Sequence, residues 1–315
     1  MTNAIIRLWT QWARLRFFWR RMRLHIPRDA LVLDIGSGDN PHGRADILCD
    51  RHIVAQIDRP GAFVLDRPLV VGDAHHLPFR DRAFDYVICS HVLEHTDHPE
   101  DLLAELMRVA RAGYIETPSS LSEKLGGKVF HRTYVDLDEG TLVIRHKPGP
   151  VFDSQLHVTF HGFWRRNTAF MFFYWRHVDL HFTRMEWTNQ IPFRIIGAPS
   201  VAAWPTDEED QMPDLQALSR LSQSRVTFKW LAKRLLYQAA GQWHPRRQID
   251  LQSILACPAC RGSLRLIGDG ATCTGCEARY PVCGSIPVLL AETADSSQSR
   301  ALPALEDPSG QLPSS

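Results

Sequence analysis

Cys257 and Cys260, then Cys273 and Cys276, form two Cys-x-x-Cys knuckles separated by a 12-residue spacer. Four thiolates at this spacing suit a tetrahedral metal ion, with zinc–sulfur bonds of about 2.3 Å. A single pair would also fit redox chemistry, but two pairs without a thioredoxin-like pattern point to structural metal. A second set of chemically suggestive residues lies far upstream, in VLDIGSGDN (32–40). There Asp34 sits in an apolar run, and Gly36 and Gly38 flank Ser37. Such a turn lets backbone approach a ligand closely. Asp50, Asp73 with Ala74, and Ser90 with His91 then stand at the ends of further apolar runs, and His95 follows. Asp50 can accept hydrogen bonds from the hydroxyls of a ribose, and Asp73 from an exocyclic amino group. Because imidazole as a group works as an acid or base near neutral pH, His91 and His95 are the candidates for a general base.

The elements that must position these groups are short and regular. ALVLDIGSG (30–38), ADILCD (45–50), FVLDRPLVVGDA (63–74), FDYVICSHVLEH (84–95) and AGYIETPSS (112–120) each predict a strand. PEDLLAELMRVAR (99–111) predicts a helix with proline in its first turn. RTYVDLDEGTLVIRH (132–146) predicts a hairpin around Asp138–Gly140, and HFTRMEWTNQIPFRII (181–196) two late strands. This alternation predicts an α/β fold with a parallel sheet, and ligands of such sheets bind outside the carboxyl ends of the strands.

VLDIGSGDN, GDAHHLPFRDRAFDYVICSHVLEH and the helix after them resemble class I S-adenosylmethionine-dependent methyltransferases of type 11. They are closest to the branch that includes the ubiquinone and menaquinone C-methyltransferases. The resemblance covers about residues 30–118. It implies a Rossmann-like seven-stranded methyltransferase sheet with its last strand antiparallel, and S-adenosylmethionine as cofactor. Asp34, Gly36 and Gly38 would meet the methionine part, Asp50 the ribose, and Asp73 with Ala74 the adenine. Ser37 and Ser90 complete the expected cofactor set, and Leu77 and Phe79 are expected as apolar walls. Two departures stand out: the third glycine of the turn is missing, and the reach from the first strand to Asp50 is short.

Methyl transfer needs the acceptor oriented and water excluded, because the activated group comes with the cofactor. The Asn/Asp-Pro-Pro-aromatic turn of amine and amide methyltransferases is replaced here by SHVLEH, which favours O- or C-methylation. His95 also suits a structural hydrogen bond, and Glu94 suits bracing the site. His131, His157 and His161 fall where acceptor recognition is expected, at a sequence spacing unlike that of a metal site.

ILACPACRGSL and ATCTGCEARYPVCGSIPVLL resemble the small zinc-ribbon activator of several tRNA, rRNA and release-factor methyltransferases, over about residues 254–290. In that group the ribbon is a separate protein that adds a strand edge and covers apolar surface on the enzyme. Fusion would make the helper intramolecular and raise its effective concentration. A nucleic-acid-binding ribbon is the alternative.

Net charge is +1, but residues 1–28 hold seven arginines and no acid, and residues 215–249 hold seven Lys/Arg and no acid, leaving about −13 elsewhere. Leu8, Trp12, Leu15, Trp19 and Met22 form one helical stripe flanked by arginines, as expected of a helix lying in a membrane interface. The 215–240 segment repeats the theme with Phe228, Lys229, Trp230, Leu231, Lys233 and Arg234. Packing of both helices on the catalytic domain is the other reading. No apolar run reaches the ~20 residues of a bilayer span. The scattered Cys49, Cys89 and Cys283 suit a reducing cytoplasm. The favoured acceptor is a small molecule, lipid or lipid-linked glycan near the inner membrane face. A tRNA or translation-machinery substrate is second, and a non-enzymatic ribbon on a retained scaffold is third. The expected division is a basic helix (1–28), a methyltransferase domain (29–200), a linker with a basic helix (201–250), a ribbon packed on the same chain (251–292) and a disordered tail (293–315).

Overall fold

The computed structural model describes residues 2–53, 63–150, 154–202, 204, 235–239 and 247–294. Most of the expected linker, most of the 215–240 helix and the tail beyond 294 lie outside the described residues.

Five short strands build the centre: β1 (Val32–Ile35), β2 (Ile47–Asp50), β3 (Leu69–Gly72), β4 (Phe84–Ser90) and β5 (Ala110–Pro118). They lie parallel in the order β3-β2-β1-β4-β5. The first three are buried at every position, as strands covered on both faces must be. Alternate residues feed two cores: Leu33, Ile47, Val70 and Val87 on one face, and Val32, Leu48, Val71 and Tyr86 on the other. The helix α2 (Pro99–Val109) crosses from β4 to β5. Proline and two acids open it, Arg108 closes it, and Leu102, Leu103, Leu106 and Val109 face the first core.

The connections hold a surprise. β1 and β2 are joined by residues 36–46 without a helix, although parallel neighbours normally need one. This explains both the missing third glycine, which would open that helix, and the short reach to Asp50. Two buried arginines secure the loop instead. Arg44 donates to the carbonyls of Pro27, Arg28 and Ala30 and pairs with Asp46 at 3.1 Å. Arg67 donates to the carbonyls of His42 and Ala45. Tyr237, in a short helical segment at 235–239, is buried against this loop, with its ring 4.9 Å from that of His42.

Beyond β5 the chain forms α3 (Ser120–Gly126), the hairpin of β6 (Thr133–Asp138) and β7 (Thr141–His146), and two aromatic helices, α4 (Ser154–Arg166) and α5 (Thr168–Arg176). β8 (Phe182–Thr188) then returns antiparallel to β5. β9 (Phe193–Ile196) joins the hairpin in a separate three-stranded sheet rather than the main one. Among the described residues the N-terminal part therefore supplies six strands to the main sheet where the resemblance implies seven.

The C-terminal segment extends the sheet from the other side. Its strands β10 (Leu264–Ile267), β11 (Gly270–Cys273), β12 (Arg279–Cys283) and β13 (Ile286–Leu289) continue the order as β10-β11-β12-β13-β3, giving ten strands among the described residues. β13 runs parallel to β3, pairing Val288 with Val71 and Leu289 with Gly72. Leu255, Leu264, Ala271 and Tyr280 belong to the same core as α2 and the central strands. The segment covers an edge that would otherwise expose unpaired backbone, and a face next to the helix-free connection from β3 to β4.

The helix α1 (Thr2–Met22) packs Ala13 and Phe17 inward, with Phe17 stacked on Phe182 at 5.5 Å and tilted on Trp175 at 5.6 Å. Of the expected apolar stripe only Met22 is buried. Leu8, Trp12, Leu15 and Trp19 are 71%, 52%, 58% and 36% exposed.

Candidate active site

At the carboxyl ends of β1 to β4 lies one cleft of about 880 Å³, within the range of small-molecule sites. Asp34, Gly36, Ser37, Gly38, Asp50, Asp73, Ala74, Ser90, His91 and His95 all line it. Leu77 and Phe79 do not. They are buried in the core, where Phe79 meets Phe84 edge-on at 4.9 Å and pairs by its backbone with Leu255.

The glycine turn is shaped for close approach. Gly36 and Gly38 have φ of 64° and 51°, which side-chain-bearing residues avoid. A methyl group on Gly36 would fall 2.5 Å from Val92 Cγ2. Asp50 accepts the Gly38 N–H at 3.1 Å and the His52 N–H at 3.0 Å, and Asp34 accepts the His42 N–H at 2.7 Å. The Ser37 hydroxyl is buried without a hydrogen-bond partner among the described residues, so a polar ligand group at the turn would satisfy it.

Asp73 is more heavily engaged than its sequence position suggests. His75 donates to it from backbone and ring at 2.8 and 2.9 Å, and Arg51 pairs with it at 2.7 Å. Burial opposes its charge, but these hydrogen bonds and the guanidinium hold its carboxyl far below the usual range. Arg51 also reaches Glu292, past the end of β13, at 2.6 Å. Neither Arg51 nor His75 carries a sequence signal beyond adjacency to the two acids.

Ser90 and His91 open a second region. His91 adopts φ 59°, an uncommon conformation for a residue with a side chain. Its Nδ1 lies 3.1 Å from Glu94 Oε1. Arg21, at the end of α1, donates to Ser90 Oγ at 2.9 Å and pairs with the buried Glu116 at 3.3 Å. Burial disfavours the charge on Glu116, but Arg21 and His91 outweigh it and keep the carboxyl ionised below its usual range. Glu94 is 1% exposed. Burial pushes its pKa up, and the hydrogen bond from His91 with the nearby His91, His95 and His131 brings it down to about 2. Thr117 donates to its other oxygen at 3.0 Å.

Of the three histidines in the variable region, His131 lines the cleft, with Nδ1 2.6 Å from Glu123. His157 and His161 lie one turn apart on α4, their rings 4.2 Å from each other, and neither lines the cleft.

On the far side of the sheet edge the four knuckle cysteines converge. Cys257 and Cys276 sulfurs are 3.7 Å apart, and those of Cys260 and Cys273 are 3.4 Å apart. All four lie within 4.8 Å of one another. Disulfides need about 2.05 Å, whereas four sulfurs each about 2.3 Å from a tetrahedral centre stand about 3.8 Å apart. The donor set fits zinc. The Gly262 and Gly275 N–H groups donate to Cys260 and Cys273 sulfur at 3.4 and 3.3 Å, as in a knuckle that stabilises thiolate.

Residues 33–115 match the family described as Methyltransferase domain. The demethylmenaquinone methyltransferase of Thermobifida fusca (strain YX) is 36% identical over 94 residues, which cover 26% of this chain and 40% of that protein. The chain thus spans less than half the length of this curated relative. Among solved structures, the PH0226 protein of Pyrococcus horikoshii OT3 is 18% identical, with 47% of this chain and 79% of that one covered, at a TM-score of 0.28. The complex between the Haloferax volcanii Trm112 methyltransferase activator and a methyltransferase gives 22% identity, 34% and 51% coverage, and a TM-score of 0.26. The parallel strands, the glycine turn, the acids in register and the matched residues identify 33–115 as a class I methyltransferase domain.

Proposed function

We propose that the chain is an S-adenosylmethionine-dependent methyltransferase acting on oxygen or carbon of a small-molecule, lipid or lipid-linked glycan acceptor at the membrane surface. The observation that carries this reading is the convergence of Asp34, Ser37, Asp50, Asp73 and Ala74 on one cleft of a methyltransferase domain. Ser37 and the Gly36–Gly38 turn would hold the methionine part, Asp50 the ribose hydroxyls, and Asp73 with Ala74 the adenine. The cofactor supplies an electrophilic methyl group. An acceptor oxygen or carbon held in the cleft would take that methyl group and give up a proton. His91, exposed to the cleft and braced by Glu94, is the group we assign to receive that proton. Arg21, anchored on Ser90 and Glu116, closes the cleft from the N-terminal helix.

The membrane part of this reading rests on α1. One face is packed on the body, while the opposite face presents Leu8, Trp12, Leu15 and Trp19 to solvent beside arginines. An outward stripe of this kind suits a helix bedded among lipid headgroups. No described helix is long and apolar enough to cross a membrane. In this reading the chain works in the cytoplasm, peripheral to the inner face. The four-cysteine cluster would bind zinc and fix the segment that completes the sheet beside β3, so the ribbon acts as a built-in activator.

The test is calorimetric titration of the zinc-replete protein with S-adenosylhomocysteine, alongside Asp50→Ala. Micromolar binding that is lost in the variant is expected. Absence of binding to the unaltered protein would remove the enzyme reading and favour an interaction module.

A further inference from the structure

We propose that Glu94, His95 and His131 form a divalent-metal site in the acceptor half of the cleft, which on the methyl-transfer reading would hold an acceptor bearing two neighbouring oxygens. One ligand atom from each of the three lies within 4.8 Å of the others. Ligands about 2.1 Å from a common ion stand about 3.0 to 4.2 Å apart, so small side-chain rotations close the site. Glu94 and His95 are adjacent in sequence, in the single helical turn after β4, whereas His131 comes from the segment between α3 and β6. The fold therefore creates a juxtaposition that the sequence spacing does not reveal.

The surroundings are those of a built ligand set. His131 is buried, and its Nδ1 is held by Glu123 at 2.6 Å. Glu123 is itself fixed by the buried Lys147 at 2.7 Å. Paired with the Lys147 ammonium, Glu123 is a carboxylate and accepts from His131 Nδ1, so in the neutral ring the other nitrogen carries the lone pair. A carboxylate that orients a ligating imidazole in this way is the usual support of a protein-bound metal. On the other ligand, His91 and Thr117 each take one Glu94 oxygen at 3.1 and 3.0 Å, leaving further lone pairs on both. Two imidazoles and one carboxylate make a donor set for manganese, iron or zinc that leaves several coordination positions open. All three residues line the same cleft as the cofactor acids, so open positions would face bound acceptor.

Manganese(II) is the probe, since a hard ion leaves the thiolate cluster to zinc. The zinc-replete full chain is titrated with manganese chloride while the paramagnetic resonance signal of free ion is followed. S-adenosylhomocysteine binding and thermal melting are measured on the same samples. One bound ion per chain is expected, with affinity falling at least ~10-fold in His131→Ala and ~10- to 100-fold in Glu123→Gln. If His131→Ala fails to fold, His95→Asn and Glu123→Gln carry the test. No manganese binding by the unaltered protein, or equal binding in folded variants, overturns the proposal, because His131 would then only bridge two carboxylates through a proton. Cofactor-product binding without manganese binding removes the metal site and leaves the methyltransferase reading intact. Manganese binding without cofactor-product binding does the reverse.

Discussion

Arg51 donates to Glu292 at 2.6 Å, joining residues that are 241 positions apart. The same guanidinium grips Asp73, so the far end of the C-terminal segment is tied to an acid lining the cleft by one side chain. Both partners of the Arg51–Glu292 pair are partly solvated, which limits its strength. Glu292→Ala should weaken S-adenosylhomocysteine binding by only about 2- to 5-fold, within the ~1 kcal/mol of an exposed pair. Arg51→Ala, which also frees Asp73, should weaken it by more than ~10-fold. Calorimetry on both variants checks the order, and a larger effect in Glu292→Ala would contradict it.

With zinc held by the four cysteines as proposed, its removal should be felt across the whole sheet. Cys257 and Cys273 share a buried core with α2 and the central strands. Stripping zinc with a chelator is expected to lower the single melting transition and abolish cofactor binding together. Two separate transitions, the upper one unchanged, would show that the segments are energetically independent.

Gly43 supports Tyr237 at zero clearance. A methyl group there would lie 2.5 Å from Tyr237 Cδ2. Gly43→Ala should destabilise the protein by about 1–3 kcal/mol through overpacking. Tyr237→Ala should remove most of that penalty, giving strong coupling in a double-mutant cycle. Additive losses in denaturant melts would rule the contact out.

Trp12 and Leu15 face solvent, so replacing both with serine should leave melting nearly unchanged, within about 0.5 kcal/mol per site. Co-sedimentation with vesicles containing anionic lipid should fall at least ~10-fold, given about 1.5–3 kcal/mol for each large apolar side chain removed from lipid. Undiminished sedimentation would detach α1 from the membrane reading.

Acid should loosen the region around α5. His181 is buried, stacked on Tyr174 at 4.0 Å, and neither ring nitrogen has a hydrogen-bond partner among the described residues. Burial, helped by the charge of His177, holds its pKa down at about 4. The unfolded chain takes up this proton near pH 6.5, so the neutral ring's contribution is complete above that pH. It is lost as pH falls toward 4, at up to about 1.4 kcal/mol per pH unit. His181→Phe should flatten the stability–pH curve over that window. An unchanged slope would assign the acid sensitivity elsewhere.

The central strands and their acids were legible because a buried parallel strand leaves an apolar run with a polar residue at its exit, as at Asp50 and Ser90. The knuckles were legible because thiolate spacing is a local property. The helix-free link from β1 to β2 was visible only as an anomaly, a missing glycine and a short reach. Its replacement by Arg44, Arg67 and Tyr237 depends on contacts that no local pattern encodes. The same holds for His131 beside Glu94, and for Leu77 and Phe79, whose apolar character fits a cavity wall and a core equally well. The stripe on α1 is a real helical periodicity, but sequence could not say that Ala13 and Phe17, rather than Trp12 and Leu15, face the body.

The pairing of β3 with β13 also constrains the order in which this chain can fold. Val71 waits for Val288, a partner made much later during synthesis. Until then the nascent sheet has an open edge and an uncovered apolar face, and long-range pairing of this kind is slow to form. Translation at about 5–20 residues per second leaves that edge waiting for roughly 10–40 seconds. A ribosome-associated chaperone should therefore be needed most while the last quarter of the chain is being made. Transcripts truncated before this C-terminal segment should yield aggregates rather than a smaller folded protein.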